Sequence, residues 1–202
     1  GIFLIDNPII VKTIISANTS NYSAAALSSF GASLSNCTII ENGDESSYNN
    51  YPLLMKLDGG SVIHNSIIWD NHSSYKTVDF DGYVDVSYTL AQGSQSNFID
   101  RNGYDLSVRL RWGNGNLDQN PLLDGALIPL PGSPIIDMGD PNLFFSDLDG
   151  TRNDIGKSGS NGIYVSSTSI DFGNVSTNGA CCENLFIYNI REEAINLQSL
   201  TS

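Results

Sequence analysis

Basic residues are scarce in this chain: Lys and Arg total 9 in 202 residues, against 22 Asp and Glu, for a formal net charge of -13. A surface this acidic repels phosphate backbones and anionic headgroups, so no nucleic acid and no membrane surface is expected as a partner. Long apolar runs are missing too. No stretch approaches the ~18 consecutive apolar residues of a membrane span, so none is expected. Gly1 to Asn7 does not pair a basic segment with an apolar one, so any export signal is expected to be already removed or to lie upstream. The three cysteines do not make a disulfide framework. Cys181 and Cys182 are neighbours, whose bond would close a strained ring, and Cys37 stands far from both. The redox compartment stays open on cysteine usage alone.

What is abundant is short and polar. Ser, Asn and Thr contribute 27, 22 and 9 residues, while Met occurs twice and Ala, Glu and Lys are few. That composition suits strands and turns. A repeat is legible within it. Asn36-Cys37-Thr38-Ile39-Ile40-Glu41-Asn42 recurs 29 residues later as Asn65-Ser66-Ile67-Ile68-Trp69-Asp70-Asn71. A weaker copy, Thr13 to Asn18, places Ile14 25 residues before Ile39, and another, Val86 to Thr89, places Ser87 21 residues after Ser66.

Spacings this uneven exclude ankyrin and tetratricopeptide arrays, and units rich in Val, Ile and Thr between Asn, Gly and Ser read as strand, turn and strand. Stacked coils accommodate them. Each strand pairs in parallel with its copies, inward Ile and Leu form a continuous core, and surplus length becomes a loop. Asn at matching positions, 36 with 65 and 42 with 71, suits left-handed corners and stacked amide hydrogen bonds, or plain turn chemistry. Further strands at Ala24 to Phe30, Leu53 to Leu57 and Lys76 to Phe80 give each coil at least two. The Gly- and Asn-rich stretch after Asn97 and the Pro-containing run from Pro121 to Pro141 read as a cap on the stack.

Three ordered motifs then carry a resemblance. Gly113-Asn114-Gly115-Asn116-Leu117-Asp118-Gln119-Asn120-Pro121-Leu122-Leu123, Gly132-Ser133-Pro134-Ile135-Ile136-Asp137-Met138-Gly139-Asp140 and Asp147-Leu148-Asp149-Gly150-Thr151-Arg152-Asn153-Asp154-Ile155-Gly156 resemble the C-terminal end of right-handed parallel β-helix proteins of the choice-of-anchor Q type. With the two Asn-bounded coils, the resemblance covers residues 10 to 157. It implies a bacterial, exported, often multidomain protein, in a family mostly without demonstrated activity. The family motif usually continues Ala-Tyr-Glu, whereas Lys157-Ser158-Gly159 stands here. Ser167 to Val175 and Asn184 to Ile190 resemble the opening strands of a Hydin-type, choice-of-anchor D immunoglobulin-like module. The expected fold is therefore all-β: a right-handed parallel β-helix (solenoid) over 1-157 with its C-terminal cap at about 113-157, then a partial immunoglobulin-like β-sandwich segment over 163-202. A full sandwich needs about 100 residues. The chain is accordingly expected to be a fragment of a larger protein, or to be completed by strands of a neighbouring subunit.

Candidate chemistry falls into three groups. Asp147, Asp149 and Asp154 have the alternating oxygen ligands and tight Gly150 turn of a calcium loop, but lack a downstream bidentate Glu; otherwise Arg152 pairs with an Asp and the loop is a structural clamp. Asp70, Asp79 and Asp81, with Asp85, His64, His72, Lys76 and Arg101 nearby, suit a polysaccharide lyase or glycoside hydrolase working in a groove of the β-helix. Strand alternation instead points Val78 and Phe80 inward and Asp79 and Asp81 into solvent. Trp69, Tyr75, Tyr83 and Trp112 are candidates for a sugar-stacking face, or for core and loop anchors. Asn-X-Ser/Thr sequons at Asn18, Asn21, Asn36, Asn71 and Asn174 bear on exposure only where N-glycosylation operates. The functional expectation is a secreted or cell-surface structural or adhesive scaffold, or a filament subunit, that contacts extracellular polysaccharide. An enzyme is the alternative.

Overall fold

The first three repeat copies each fold as an extended tripeptide between two left-handed corners, and that local geometry sets the architecture. Thr38–Ile40 lies between Asn36 (φ 50°) and Glu41 (φ 55°), and Ile67–Trp69 between Asn65 (φ 49°) and Asp70 (φ 48°). Strands so short gain stability only by stacking on copies of themselves. The computed structural model describes residues 2–4, 6–20, 24–43, 54–72 and 76–159, and the backbone of 163–165 and 187–189.

Three parallel sheets result. The first orders Ile2–Leu4, Leu27–Phe30, Met55–Asp58, Val78–Asp81 and Phe98–Asp100. The second orders Ile9–Val11, Ser33–Ser35, Ser61–His64, Val84–Ser87 and Leu110–Trp112, and the third Ile14–Ser16, Thr38–Ile40, Ile67–Trp69 and Leu90–Ala91. The chain visits them in turn, making an all-β parallel solenoid of about 4 turns with almost no helix. Among the described residues no helix is long and apolar enough to cross a membrane.

Registers follow the repeat with two corrections. The 29-residue step holds, Thr38 to Ile40 facing Ile67 to Trp69. In the first coil Ile15, not Ile14, faces Ile39, a step of 24. In the fourth, Thr89 rather than Ser87 stands over Ser66, a step of 23. A slip of one residue turns every side chain to the other face, so these shifts decide what is inside. The core holds Leu27, Leu34, Ile39, Leu57, Ile63, Phe80 and Val84, all at 0% exposure.

Two polar ladders lock the coils. Asn42 is wholly buried; its Nδ2 donates to Ile15 O (2.8 Å) and Ile40 O (2.9 Å), and its Oδ1 accepts from Asn18 N (3.1 Å). Asn71 Oδ1 in turn accepts from Asn42 N (3.0 Å) and Asn42 Nδ2 (3.1 Å). The second ladder joins Cys37 N to Ser66 Oγ, Ser66 N to Thr89 Oγ1 and Thr89 N to Asn116 Oδ1. Backbone groups that the corners turn away from the sheets thus keep partners in the interior. At the corner between first and second sheets, Gly82 (φ 124°) leaves no room for a side chain, since a Cβ would sit 2.5 Å from Gly59 O.

The segment expected as a cap over 113-157 begins on the last coil, where Asn114 O, Asn116 Oδ1 and Leu117 O accept from the N–H groups of Tyr88, Thr89 and Ala91, and from Ile135 onward its contacts run back along the flank. Gly156 N donates to Asn65 O (2.7 Å) and Lys157 N to Thr38 Oγ1 (3.1 Å). Ile135 and Ile155, at 0% exposure, pack with Ile67 and Leu90 on the outer face of the third sheet. The cause is in the strands: Thr38-Ile39-Ile40 and Ile67-Ile68-Trp69 do not alternate with polar residues, and a strand apolar on both faces must be covered on both. Farther on, Ile163–Val165 and Ile187–Asn189 pair antiparallel. The remainder of the immunoglobulin-like segment expected over 163-202, with Cys181 and Cys182, lies outside the described residues.

Candidate functional site

The acids proposed for catalysis do not converge. Asp79 and Asp81 lie on Val78–Asp81 of the first sheet. Asp70 is an exposed corner residue after Ile67–Trp69 of the third. Val78 and Phe80 point inward as expected, at 0% exposure, but Asp79 does not face solvent: it is 5% exposed. The reason is Arg101, one coil on, whose Nε donates to Asp79 Oδ2 at 2.9 Å and whose Nη1 donates to Asp58 Oδ1 at 2.7 Å. Burial pushes the Asp79 carboxyl above its ordinary range, Arg101 pulls it back, and Asp58 opposes that pull. A raised carboxyl has the character of a general acid. Here the group is closed from solvent and committed to an arginine.

The neighbouring acids repeat the pattern. Arg109 Nη1 lies 3.4 Å from Asp81 Oδ1 and 3.3 Å from Asp100 Oδ2, with its guanidinium 3.8 Å from the Tyr104 ring centroid. Arg111 Nη1 lies 3.4 Å from Asp85 Oδ2 and its guanidinium 5.1 Å from the Tyr83 ring. All three arginines come from the last coil and each reaches an Asp of the coil before. A shallow depression of about 330 Å³ beside Arg111 is lined by Asp85, Val86, Ser87, Trp112 and Gly113.

The aromatic set is dispersed as well. Tyr83 is 50% exposed at the corner just before Val84–Ser87 of the second sheet. Trp112 stands in register with inward Val86, meets Phe98 edge-on with centroids 5.5 Å apart, and also lines the depression beside Arg111. Trp69 packs against the Ile67, Leu90, Ile135 and Ile155 group under the flank segment. Tyr75 lies outside the described residues.

In the 147–154 loop the carboxylates serve the backbone. Asp149 Oδ1 accepts from Thr151 N (3.0 Å) and Thr151 Oγ1 (2.7 Å), which holds its pKa below the usual range. Asp154 Oδ1 accepts from Asp137 N (2.8 Å), and Asp147 Oδ2 from Asp154 N (3.0 Å). Among the described residues Arg152 does not pair with an Asp, as the clamp alternative has it: its Nε donates to Gly139 O (2.7 Å). Among the described residues no three His, Cys, Asp or Glu side chains are grouped to hold a metal.

One charged contact was not legible in the sequence. His64 Nε2 lies 3.0 Å from Asp140 Oδ2, with Phe145 and Tyr88 edge-on at 4.8 and 5.9 Å. Burial lowers the His64 pKa, only partly offset by Asp140. The 76 residues between the partners hide the pair; the sole hint is a histidine ending an apolar strand. His72, the other histidine considered, ends up on the third-sheet side, where its N–H donates to Asn42 O (2.7 Å). Comparison of the chain with family models, with curated proteins and with solved structures returns no match.

Proposed function

We propose that this chain is a structural and adhesive scaffold, a rigid module of a secreted or cell-surface protein that spaces or displays other domains. The observation that carries the reading is the ion pairing of the last two coils. Asp79, Asp81 and Asp85, the acids a groove enzyme would need, are each held by an arginine, and Asp70 lies on another sheet. Glycoside cleavage by paired carboxyls needs them about 5 to 9.5 Å apart with room for sugar or water between. Exposed Tyr83, with Arg111 and the depression beside it, is the region we assign to weak polysaccharide contact. An aromatic ring beside a charged pair suits the apolar faces and hydroxyl edges of sugars.

The coils are taken as right-handed, because crossovers between parallel strands are right-handed in about 98% of cases. The two antiparallel strands 163–165 and 187–189 are too few to be stable alone. In this reading they open an immunoglobulin-like module, completed by further strands of the protein or of a neighbouring subunit. The test is incubation with a panel of neutral and acidic polysaccharides, following new reducing ends and unsaturated uronide absorbance. No product is expected, with retention of the protein on at least one insoluble polysaccharide and loss of that retention in Tyr83→Ala. Steady product release abolished by Asp79→Asn would instead establish the lyase or hydrolase alternative.

A further inference from the structure

Asp140-Pro141 is the one Asp–Pro bond in the sequence. Such a bond is labile in acid for two chemical reasons: the prolyl nitrogen leaves as a secondary amine, and the Asp carboxyl can close a five-membered ring on the carbonyl of the same bond. Ring closure needs the carboxyl held against that carbonyl. Asp140 Oδ1 accepts from Asn142 N at 2.9 Å, an Asx turn that folds the carboxyl back over the backbone of residues 140 to 142. The backbone beneath it is clamped. Asp140 N donates to Asn65 Oδ1, Gly139 N donates to Asn153 O, and Gly139 O accepts from Arg152 Nε, each at 2.7 Å. The packing is close enough that a Cβ at Gly139 would sit 2.6 Å from Asn153 O. Asp140 Oδ2 is left for His64 Nε2, 3.0 Å away, with the Asp140 and His64 side chains 21% and 15% exposed. Tyr88 and Phe145 stand edge-on to the imidazole, and its register neighbours in the second sheet are Ser35 and Ser87. Among the described residues Asp140 is the charged group that faces His64, with Arg152 next along on the Gly139 carbonyl.

We infer that Asp140 and His64 form a self-cleaving site that cuts the Asp140–Pro141 bond in acid, with water as the co-reactant. Asp140 Oδ1 attacks the Asp140 carbonyl carbon and forms the new C–O bond. The C–N bond to Pro141 breaks, and the nitrogen takes up the proton that His64 Nε2 had held against Oδ2. That proton is freed because Oδ2 loses its negative charge as the ring closes to a cyclic anhydride. Water then opens the anhydride to two carboxylates, and the two protons released go to His64 and to the prolyl amine. The net reaction is hydrolysis of one peptide bond. The imidazole suits the donor's part, since burial lowers its pKa and its charged form gives up a proton readily. It is neutral above its ordinary titration range near pH ~6.5, so the site is silent there and works only as the pH falls below that range. The cut does not free the flank, because the Asn36–Asn153, Gly156–Asn65 and Lys157–Thr38 contacts all lie beyond it. The inference is independent of whether the chain binds or cuts polysaccharide.

The test holds the purified full chain at about pH 5.5, checks by circular dichroism that it stays folded, and follows its intact mass. Two fragments are expected, one ending at Asp140 and one beginning with Pro141, with masses that sum to the intact mass plus one water. Their rate of appearance should not depend on protein concentration. The same chain in urea at the same pH measures the intrinsic lability of the bond, and the folded chain should cut about a hundredfold faster. His64→Gln should lose most of that advantage when folded and match the native chain in urea, while Asp140→Ala should stay intact in both states. Where His64→Gln does not fold, the pH profile of the native chain decides. Its rate should step up as pH falls through the histidine range, and the step should vanish in urea. Folded chain that cuts no faster than unfolded, His64→Gln that cuts as fast as native when folded, or a profile without that step overturns the inference.

Discussion

Asn36 donates from Nδ2 to Asn153 Oδ1 across 3.0 Å, joining residues 117 apart in sequence. Both are essentially inaccessible, at 1% and 0% exposure, and Asn36 Nδ2 also lies 3.2 Å from Gly156 O. Around this pair, Asn65 Oδ1 accepts from Asp140 N at 2.7 Å and Gly139 N donates to Asn153 O at 2.7 Å. The flank segment is therefore held by buried polar contacts as well as by Ile135 and Ile155. Asn36→Ala removes a buried donor and puts a Cβ residue without a polar side chain at φ 50°. A loss of about 2 to 4 kcal/mol is expected from the two effects together. Asn36→Gly, which relieves the backbone, should lose less; urea unfolding of the two variants makes the comparison.

Asn42 provides the sharper test of the ladders. Its Nδ2 faces two carbonyls, so Asn42→Asp replaces a donor by a buried carboxylate against Ile15 O and Ile40 O. Destabilisation of about 3 kcal/mol or more is expected, against little change for exposed Asn102→Asp. Thermal unfolding of both variants at neutral pH checks it. Asn42 is followed by Gly43, yet its side chain is fully engaged, so on ageing, deamidation should appear at Asn102 and Asn114 before Asn42.

Arg101→Met should destabilise by about 2 to 4 kcal/mol, because it leaves Asp79 buried and unpaired; the arginine's own partial exposure sets the lower end. Arg101→Met combined with Asp79→Leu should recover most of that loss. A double-mutant cycle by chemical denaturation measures the difference.

His64 gives stability a pH dependence of known sign. Its folded pKa lies below the unfolded value of about 6.5, so the neutral ring is favoured by folding. Its contribution is full above that pH and is lost as pH falls through about 6.5 toward the folded value. Asp79 and Asp154, whose pKa values burial raises, act in the opposite sense at lower pH, taking up protons more readily folded than unfolded. The melting temperature should therefore fall between about pH 7 and 5.5 in the native chain, and fall less in His64→Gln.

The solenoid was legible in the sequence because the Asn-bounded copies at 36 and 65 keep their chemistry. The first and fourth coils were misplaced by one and two residues for a physical reason. Register is set by the corner residues, where Asn18 stands over Asn42, and Lys12 (φ 47°) and Tyr88 (φ 48°) take the left-handed place that Asn36 and Asn65 hold in the second and third coils. Matching the apolar pairs alone does not reveal that. The burial of Asp79 depends on Arg101 arriving 22 residues later at the neighbouring strand, which strand alternation cannot show. The covering of the third sheet was foreshadowed by the unbroken apolar triplet Ile67-Ile68-Trp69. Its cover is a segment more than forty residues downstream, and nothing local names it.

Hydrogen exchange of the native chain tests most directly whether coils and flank form one rigid unit. The account predicts that the amides of Ile155, Gly156 and Lys157 are protected to the same free energy as those of Thr38–Ile40 and Ile67–Trp69, and that Asn153→Ala lowers protection in all three places together. Rapid exchange of 153–157 while the coil strands stay protected would contradict it.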